Sequence, residues 1–351
     1  MEEGYIKIKK FENIDLSDIF FDSLKVDYPE FEKWFHRKKD TLAHVMYNRE
    51  NKLEGFLHVK IEHNEVDDIV PHIVAPLILK IGTFKVNPHG TKLGERFIKK
   101  SLDIAISENV DICYVTIFEK HSYLIGLLKK YGFYEHGHKG QGDKTELVLV
   151  KDMKAITNDV LNDYPLLNYK GKNIYLLAIY PEYHSKMFPD SILNNESFNI
   201  LEDQSHTNSI HKVYLSAIPA VGNLKRGDIV VIYRTGDQKG PAEYRSVVTS
   251  ICTVEVVKNK RYFSTYENFY KNVNSYSIFD EKDLKVWYNK KNFFAIKMLY
   301  NVALSKRIIR KALIEQIGVS RNERPSFIKL TEAQLHKLLE KGAVNESYVV
   351  N

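Results

Sequence analysis

The first chemistry the sequence suggests lies in His89-Gly-Thr-Lys-Leu-Gly94, a glycine-bearing turn set between an apolar, β-branched run at 77–86 and a helical pattern of Leu93, Phe97, Ile98 and Leu102. Strand, tight turn and helix in that order build an anion site. The first N–H groups of a helix lack intrahelical partners and sit at the positive end of its dipole. A pyrophosphate can be held there by backbone alone, between Thr91 and Glu95. A second cluster, His136-Gly-His138, places two imidazoles on one face of a strand, where they could bind a metal or line an acceptor site. No third ligand accompanies them, so they read as an exposed glycine-rich hairpin and no metal is expected.

The elements that must position these residues follow from periodicity. A strand is expected over 5–9, one or two helices between 18 and 38, and a hairpin of strands over 42–47 and 53–62. A polar connection over 63–76 then leads to the strand at 77–86. After the turn and its helix come a strand over 112–117, a helix over 122–130, the pair Gly132-Phe133, and strands over 134–138 and 145–150.

This order resembles the GNAT superfamily of N-acetyltransferases, over residues 1–153. Members bind acetyl-CoA on a turn of pattern [R/Q]-x-x-G-x-[G/A] after a bulged strand. In this chain Gly94 matches the last position, while His89 and Lys92 depart from the pattern. The resemblance implies a mixed sheet flanked by helices and an α/β (α+β) fold class. It implies that the backbone of Phe84, Lys85 and Val86 pairs with the pantetheine arm, and that the segment His89, Gly90, Thr91, Lys92, Leu93, Gly94 and Glu95 takes the phosphates. Many members carry a catalytic tyrosine five residues before the Gly-Phe pair; that position is Leu128 here. Tyr123 becomes the candidate proton donor, His121 a helix cap or CoA contact, and Glu119 or a backbone-held water the candidate base.

At 351 residues the chain suggests two domains, since single cores stop growing near ~250 residues. Asn158, Asn162, Asp163 and Pro165 mark residues 154–170 as a linker. Charge divides at the same place: residues 1–170 carry 25 Lys and Arg against 27 Asp and Glu, residues 171–351 carry 26 against 18. A basic excess confined to one half points to a polyanionic partner, with a solvated surface as the alternative. Neither a secretory leader nor an apolar run of about 20 residues is present, which suggests a cytoplasmic protein with no membrane contact. Cys113 and Cys252 read as reduced core thiols.

The second half, 171–351, shows short strands at 174–179, 212–217, 228–233, 246–257 and 284–288, and helices over 303–317 and 331–339. Its Gly227-Asp228 turn before a buried strand resembles the ASCH domains of the PUA-like superfamily, which implies a small β-barrel with helices that binds RNA or a nucleotide. Arg234 and Arg245 follow tyrosines, Lys306, Arg307 and Arg310 are expected on one helical face, and Arg324 and Ser326 flank a turn over a pocket. Bases stack on aromatic rings while cations meet phosphates, so these are the expected nucleic-acid contacts.

Together these readings describe a cytoplasmic N-acetyltransferase that uses acetyl-CoA and acts on an amine of RNA, tRNA included, or of a translation-associated substrate recognised by the second domain. The GNAT–ASCH combination also implies a toxin held by an antitoxin-like protein partner. Two alternatives stay open: a non-catalytic RNA- or nucleotide-binding regulator with a degenerate GNAT domain, and an acetyltransferase for small-molecule or protein amines that its basic domain merely docks.

Overall fold

Apolar strands, several of them buried on both faces as in Ile112–Ile117, build a seven-stranded sheet in the first part of the chain. The structure, a computed structural model, describes residues 6–48, 50–87, 92–189 and 209–350, and divides into two units, 1–154 and 155–351. In the first unit β1 (Lys7–Lys10), β2 (Leu42–Tyr47), β3 (Leu53–Val66), β4 (Ile73–Val86), β5 (Ile112–Ile117), β6 (Tyr134–Lys139) and β7 (Glu146–Asp152) lie in the order β1-β2-β3-β4-β5-β7-β6. Only β4 and β5 run parallel. Between them α3 (Leu93–Ser107) supplies the crossover that a parallel pair requires.

Leu93, Phe97, Ile98 and Leu102 recur at helical spacing and are buried, so α3 lies with this stripe against the sheet. Gly55 on β3 lets the Phe97 ring approach: a Cβ there would overlap it. The helices α1 (Asp22–Asp27) and α2 (Phe31–Arg37) cover an aromatic core of Phe11, Phe21, Phe31, Phe35 and Phe56. The helix α4 (Ser122–Lys130) buries Ile125 and Leu128.

The connection expected over 63–76 is mostly strand. β3 runs to Val66 and β4 begins at Ile73, because a bulge absorbs Pro76: Asn64 pairs with Ala75 and His63 with Leu77. A proline has no N–H for the ladder and is tolerated at such an irregularity. Asn64 takes the left-handed conformation (φ 66°), which asparagine accepts more readily than most residues.

The second unit has a six-stranded sheet of β8 (Ile174–Ile179), β9 (His211–Ser216), β10 (Ile229–Arg234), β11 (Val247–Asn259), β12 (Phe294–Ile309) and β13 (Phe327–Leu330), ordered β13-β8-β10-β11-β12-β9. β8 and β10 are parallel and the other pairs antiparallel. Among the described residues the end strands β13 and β9 do not pair, so the sheet is open where a closed barrel was expected. The helices are α5 (Pro181–Met187), α6 (Ala242–Arg245), α7 (Tyr266–Val273), α8 (Glu281–Asn289), α9 (Arg310–Ala312, continued by a π-turn to Ile317) and α10 (Glu332–Lys341).

Three expectations are corrected here. Residues 284–288 are helical, because the Asp280 carboxylate caps α8 through the Asp283 N–H at 2.7 Å and Leu284 is buried. Residues 303–309 are the end of β12 rather than a helix, with Ile308 and Ile309 paired to Val248 and Val247. Residues 155–170 are packed chain rather than a linker. Tyr164 and Leu167 are fully buried, the Tyr164 hydroxyl donates to the Tyr300 carbonyl at 3.0 Å, and the Asn301 amide donates to the carbonyls of Pro165 and Leu166 at 3.1 and 3.2 Å.

Candidate functional site

A cavity opens where β4 and β5 part company. Their ladder runs from Ile78 opposite Ile112 to Ile81 opposite Val115 and stops. At Gly82 an extra residue bulges out of β4, since His58 pairs with Thr83 and Val59 with Ile81. From there β4 follows β3 to Val86, while β5 stays with β7 to Ile117. Beyond Gly82 the β5-facing edge of β4 therefore has no ladder partner among the described residues. A cavity of about 960 Å³ fills this wedge, with Phe84, Lys85 and Val86 on its wall.

One half of the cavity is bounded by the start of α3. Lys92 is left-handed (φ 58°), and the first helical hydrogen bond runs from Arg96 N to Lys92 O at 3.2 Å, so the N–H groups of Leu93, Gly94 and Glu95 precede the helical ladder. Lys92, Leu93, Gly94 and Glu95 all line the cavity. Gly94 is also a packing residue: a Cβ there would lie 2.8 Å from Leu127 Cδ2 on α4. The buried Glu95 carboxylate is paired with Lys130 at 2.9 Å. Lys85 turns its ammonium toward α1, bonding the Phe20 carbonyl and the Ser23 hydroxyl, the latter at 2.6 Å. His89, Gly90 and Thr91 lie outside the described residues.

Of the expected proton-transfer residues, two reach the cavity. Tyr123 lines it from the first turn of α4 with 77% of its surface exposed. His121, just before the helix, also lines it, and its Nε2 is 3.5 Å from an Asp27 carboxylate that pairs with Lys120 as well. Glu119 is exposed and is not part of the cavity wall. Leu128 is fully buried between α4 and the sheet.

A pair that sequence reasoning missed sits deeper in the wedge. The Tyr28 hydroxyl donates to Glu146 Oε1 at 2.6 Å across 118 residues of sequence, and both residues line the cavity. Tyr28 packs its ring on Phe118 with centroids 5.3 Å apart, and Glu146 is buried at the start of β7. Burial, then the hydrogen bond and charge of Glu146, hold the Tyr28 phenol far above its ordinary range. Tyr28 thus stays protonated and donates to Glu146. Neither residue belongs to a motif; only the meeting of the α1–α2 connection with β7 makes them a pair.

The second unit separates its expected nucleic-acid contacts into two groups. Arg245, Arg310, Arg324 and Ser326 gather at the carboxyl ends of the parallel strands β8 and β10. Ala178 N bonds Ser326 O at 3.0 Å, Arg310 N bonds Ser246 O at 3.0 Å, and the Arg310 guanidinium bonds the carbonyls of Arg321 and Glu323 at 3.3 and 3.2 Å. Arg245 forms a two-pronged ion pair with Asp237, and Lys311 lies 5.5 Å from the centre of the exposed Tyr244 ring. Arg234 ends β10 at the same place, while Lys306 and Arg307 stand apart. Arg234 is buried, so it is not a surface contact. Lys306 and Arg307 belong to a strand excursion between Ala303 and Ile308 instead of sharing a helical face with Arg310. Arg234 and Arg307 both act on buried His184, whose imidazole is held down to about 3, chiefly by burial.

The His136–His138 strand does not form a free hairpin tip. Val70 and His138 exchange backbone hydrogen bonds at 2.9 Å, and the His136 ring meets the Pro71 carbonyl at 3.1 Å. Gly137 is required there, because a Cβ would overlap the Val70 carbonyl. Both cysteines are free and buried, and burial pushes the Cys113 thiol up to about 12. Among the described residues no helix is long and apolar enough to cross a membrane.

No family model and no curated protein matches the chain. Solved structures do. ASCH from Zymomonas mobilis is 13% identical over 48% of this chain and 94% of its own, with a TM-score of 0.33. The PaiA N-acetyltransferase from Thermoplasma acidophilum, solved with coenzyme A, is 16% identical over 42% of this chain and 99% of its own, at 0.28. A nourseothricin acetyltransferase is 15% identical over 31% and 63%, at 0.25. The solved structures to which the chain is similar thus include both N-acetyltransferases and ASCH proteins.

Proposed function

We propose that the first unit is an acyl-CoA-dependent N-acyltransferase, using acetyl-CoA, and that the second presents RNA or a translation-associated substrate to it. The observation that carries the first part is the parting of β4 from β5. It leaves a strand edge at Phe84–Val86 free to pair with an amide-containing chain, and it opens onto the first-turn N–H groups of α3. The residues present fit a pantetheine arm and a pyrophosphate: a backbone edge without a ladder partner among the described residues, and N–H donors ahead of the helical ladder. Bound there, a thioester supplies an activated acyl carbon and a sulfur leaving group.

In this reading the chain's residues handle protons and position. Glu146 takes a proton from the acceptor amine as its nitrogen forms the C–N bond, with Tyr28 fixing the carboxylate. Tyr123, on the cavity wall, gives its proton to the sulfur as the C–S bond breaks. His121 and Asp27 hold the start of α4 in place.

The RNA part rests on the basic cluster at the ends of β8 and β10 and on exposed Tyr180 and Tyr244, which suit phosphate contact and base stacking. Two buried free thiols suit a reducing, cytoplasmic setting. Calorimetric titration with acetyl-CoA tests the first part: wild type binds, and Lys92→Glu, which reverses charge at the phosphate end, weakens binding about tenfold. Absence of binding to wild type would end the acyltransferase reading. Fluorescence anisotropy with an oligoribonucleotide tests the second. Arg324→Glu lowers affinity, and the salt slope of wild type exceeds that of the variant by about one.

A further inference from the structure

The half of the cavity away from α3 carries a charge arrangement that the transfer chemistry does not need. Lys60 on β3 stands directly opposite Lys80 on β4 in the antiparallel register. Like charges in directly opposed positions are destabilising. One carboxylate, Glu62, offsets them: it pairs with Lys60 at 2.8 Å and also accepts the Tyr114 hydroxyl at 2.7 Å. Lys80 makes no ion pair among the described residues; it lies 5.4 Å from the Tyr114 ring centre. Burial and the neighbouring Lys139 and Lys60 work to pull its ammonium below the usual range, against Glu62 and Asp68.

More positive charge converges from α2. Trp34 packs on His58 with centroids 5.9 Å apart, and Lys38, next in the chain after Arg37, is close enough for its charge to depress that imidazole. Arg37, Lys38, Lys60 and Lys80 all line the cavity. At the other end of this half stand Glu146 and Tyr28. The chamber thus holds Glu146 and a group of four cations, Arg37, Lys38, Lys60 and Lys80, with Glu62 among them and Asp27 and Glu30 also on the wall. A local conflict of this kind, only partly offset by Glu62, is expected at a functional site.

From this we infer that the acceptor is an amine carrying an anionic group, with the amine at Glu146 and the anion held by Lys60, Lys80 and the Arg37–Lys38 end of α2. The inference rests on the acyltransferase reading for the amine, while the anion subsite stands on the cation row. A bound anion relieves the Lys60–Lys80 repulsion and returns the Lys80 ammonium toward its ordinary range.

The test uses the full chain, wild type and Lys80→Met, with O-phosphoethanolamine, ethanolamine and a short oligoribonucleotide. Direct binding is measured by calorimetry and thiol release from acetyl-CoA is followed in parallel. Expected are binding of O-phosphoethanolamine that falls at least tenfold in Lys80→Met, a tenfold or greater preference for it over ethanolamine in kcat/KM, and an unchanged affinity for acetyl-CoA. Equal use of ethanolamine, phosphate-amine binding that is absent, or binding indifferent to Lys80→Met would overturn the inference. Oligoribonucleotide that displaces O-phosphoethanolamine from wild type would place the anion on a nucleic-acid backbone; no displacement places it on a small molecule. The two readings fail separately. Anion binding lost in Lys80→Met without any thiol release sinks the transferase alone, and thiol release without charge preference sinks the anion subsite alone.

Discussion

The Tyr28 hydroxyl is bonded to the Glu146 carboxylate at 2.6 Å inside the wedge between β4 and β5, joining the helical edge of the first unit to its last long strand. Among the described residues Glu146 takes no second hydrogen bond. The same carboxylate that raises the Tyr28 phenol is the base in the proposed transfer.

Replacing that carboxylate tests its role. Glu146→Gln keeps the size and an acceptor for Tyr28 but cannot take a proton. It is expected to lower kcat by about 10²–10⁴-fold, the range of general-base catalysis, with acetyl-CoA affinity unchanged by calorimetry. Tyr28→Phe lowers kcat less, because the base remains and only its positioning is lost. A Glu146→Gln enzyme with wild-type kcat would remove the pair from the mechanism.

Tyr123 makes a different prediction. Its removal as a donor to the leaving sulfur is felt in the transition state only, so Tyr123→Phe lowers kcat and kcat/KM together and leaves acetyl-CoA binding intact. Since the side chain is largely exposed, the fold should be unaffected, with a thermal midpoint within about a degree of wild type. Equal kcat for the two proteins would transfer the acid role to another group.

Gly94 and Gly137 are expected to report on packing. Gly94→Val drives new atoms into Leu127, 2.8 Å away at the Cβ alone, and should cost about 1–3 kcal/mol in denaturant unfolding. Gly137→Ala meets the Val70 carbonyl, a backbone group with nowhere to go, and should cost at least as much. A neutral result at Gly137 would mean that the 66–73 connection does not rest on β6.

Acid sensitivity follows from His58. Burial, with the charges of Lys38 and Lys60, holds its imidazole down to about 4 against an ordinary 6.5. The unfolded chain binds that proton first, so the stability contributed by neutral His58 is complete above pH 6.5 and is lost as pH falls through 4. Unfolding free energies measured across pH 7 to 4 should fall more steeply for wild type than for His58→Phe. Parallel curves would assign the acid loss to other groups, His44 among them, which burial also holds near 4.

How much of this was legible in sequence depends on the range of the interaction involved. β2, β5, β8 and α4 fall at their expected bounds because each is marked by its own periodicity and by turn residues at its ends. The strand that ends at Val86 and the helix that begins at Leu93 are likewise local and readable in the order of the residues. Residues 284–288 and 303–309 were misread because short apolar runs fit a helix and a strand equally well. Burial of Leu284 decided the first and pairing of Ile308 with Val248 decided the second. The linker was misread because polar, turn-forming residues say nothing about what Tyr164 and Leu167 pack against.

The sequence by itself determined the elements with a clear periodicity of their own, such as β2, β5, β8 and α4, and the division of charge, since these depend on composition and on neighbours within a few residues. Only the tertiary structure decided the rest. The bulge at Gly82 that opens the wedge, the Tyr28–Glu146 pair, the opposition of Lys60 and Lys80, and the burial of Arg234 all depend on which strands lie side by side. Strand registry is set by the sum of the side-chain contacts in a sheet, and no single segment carries that information.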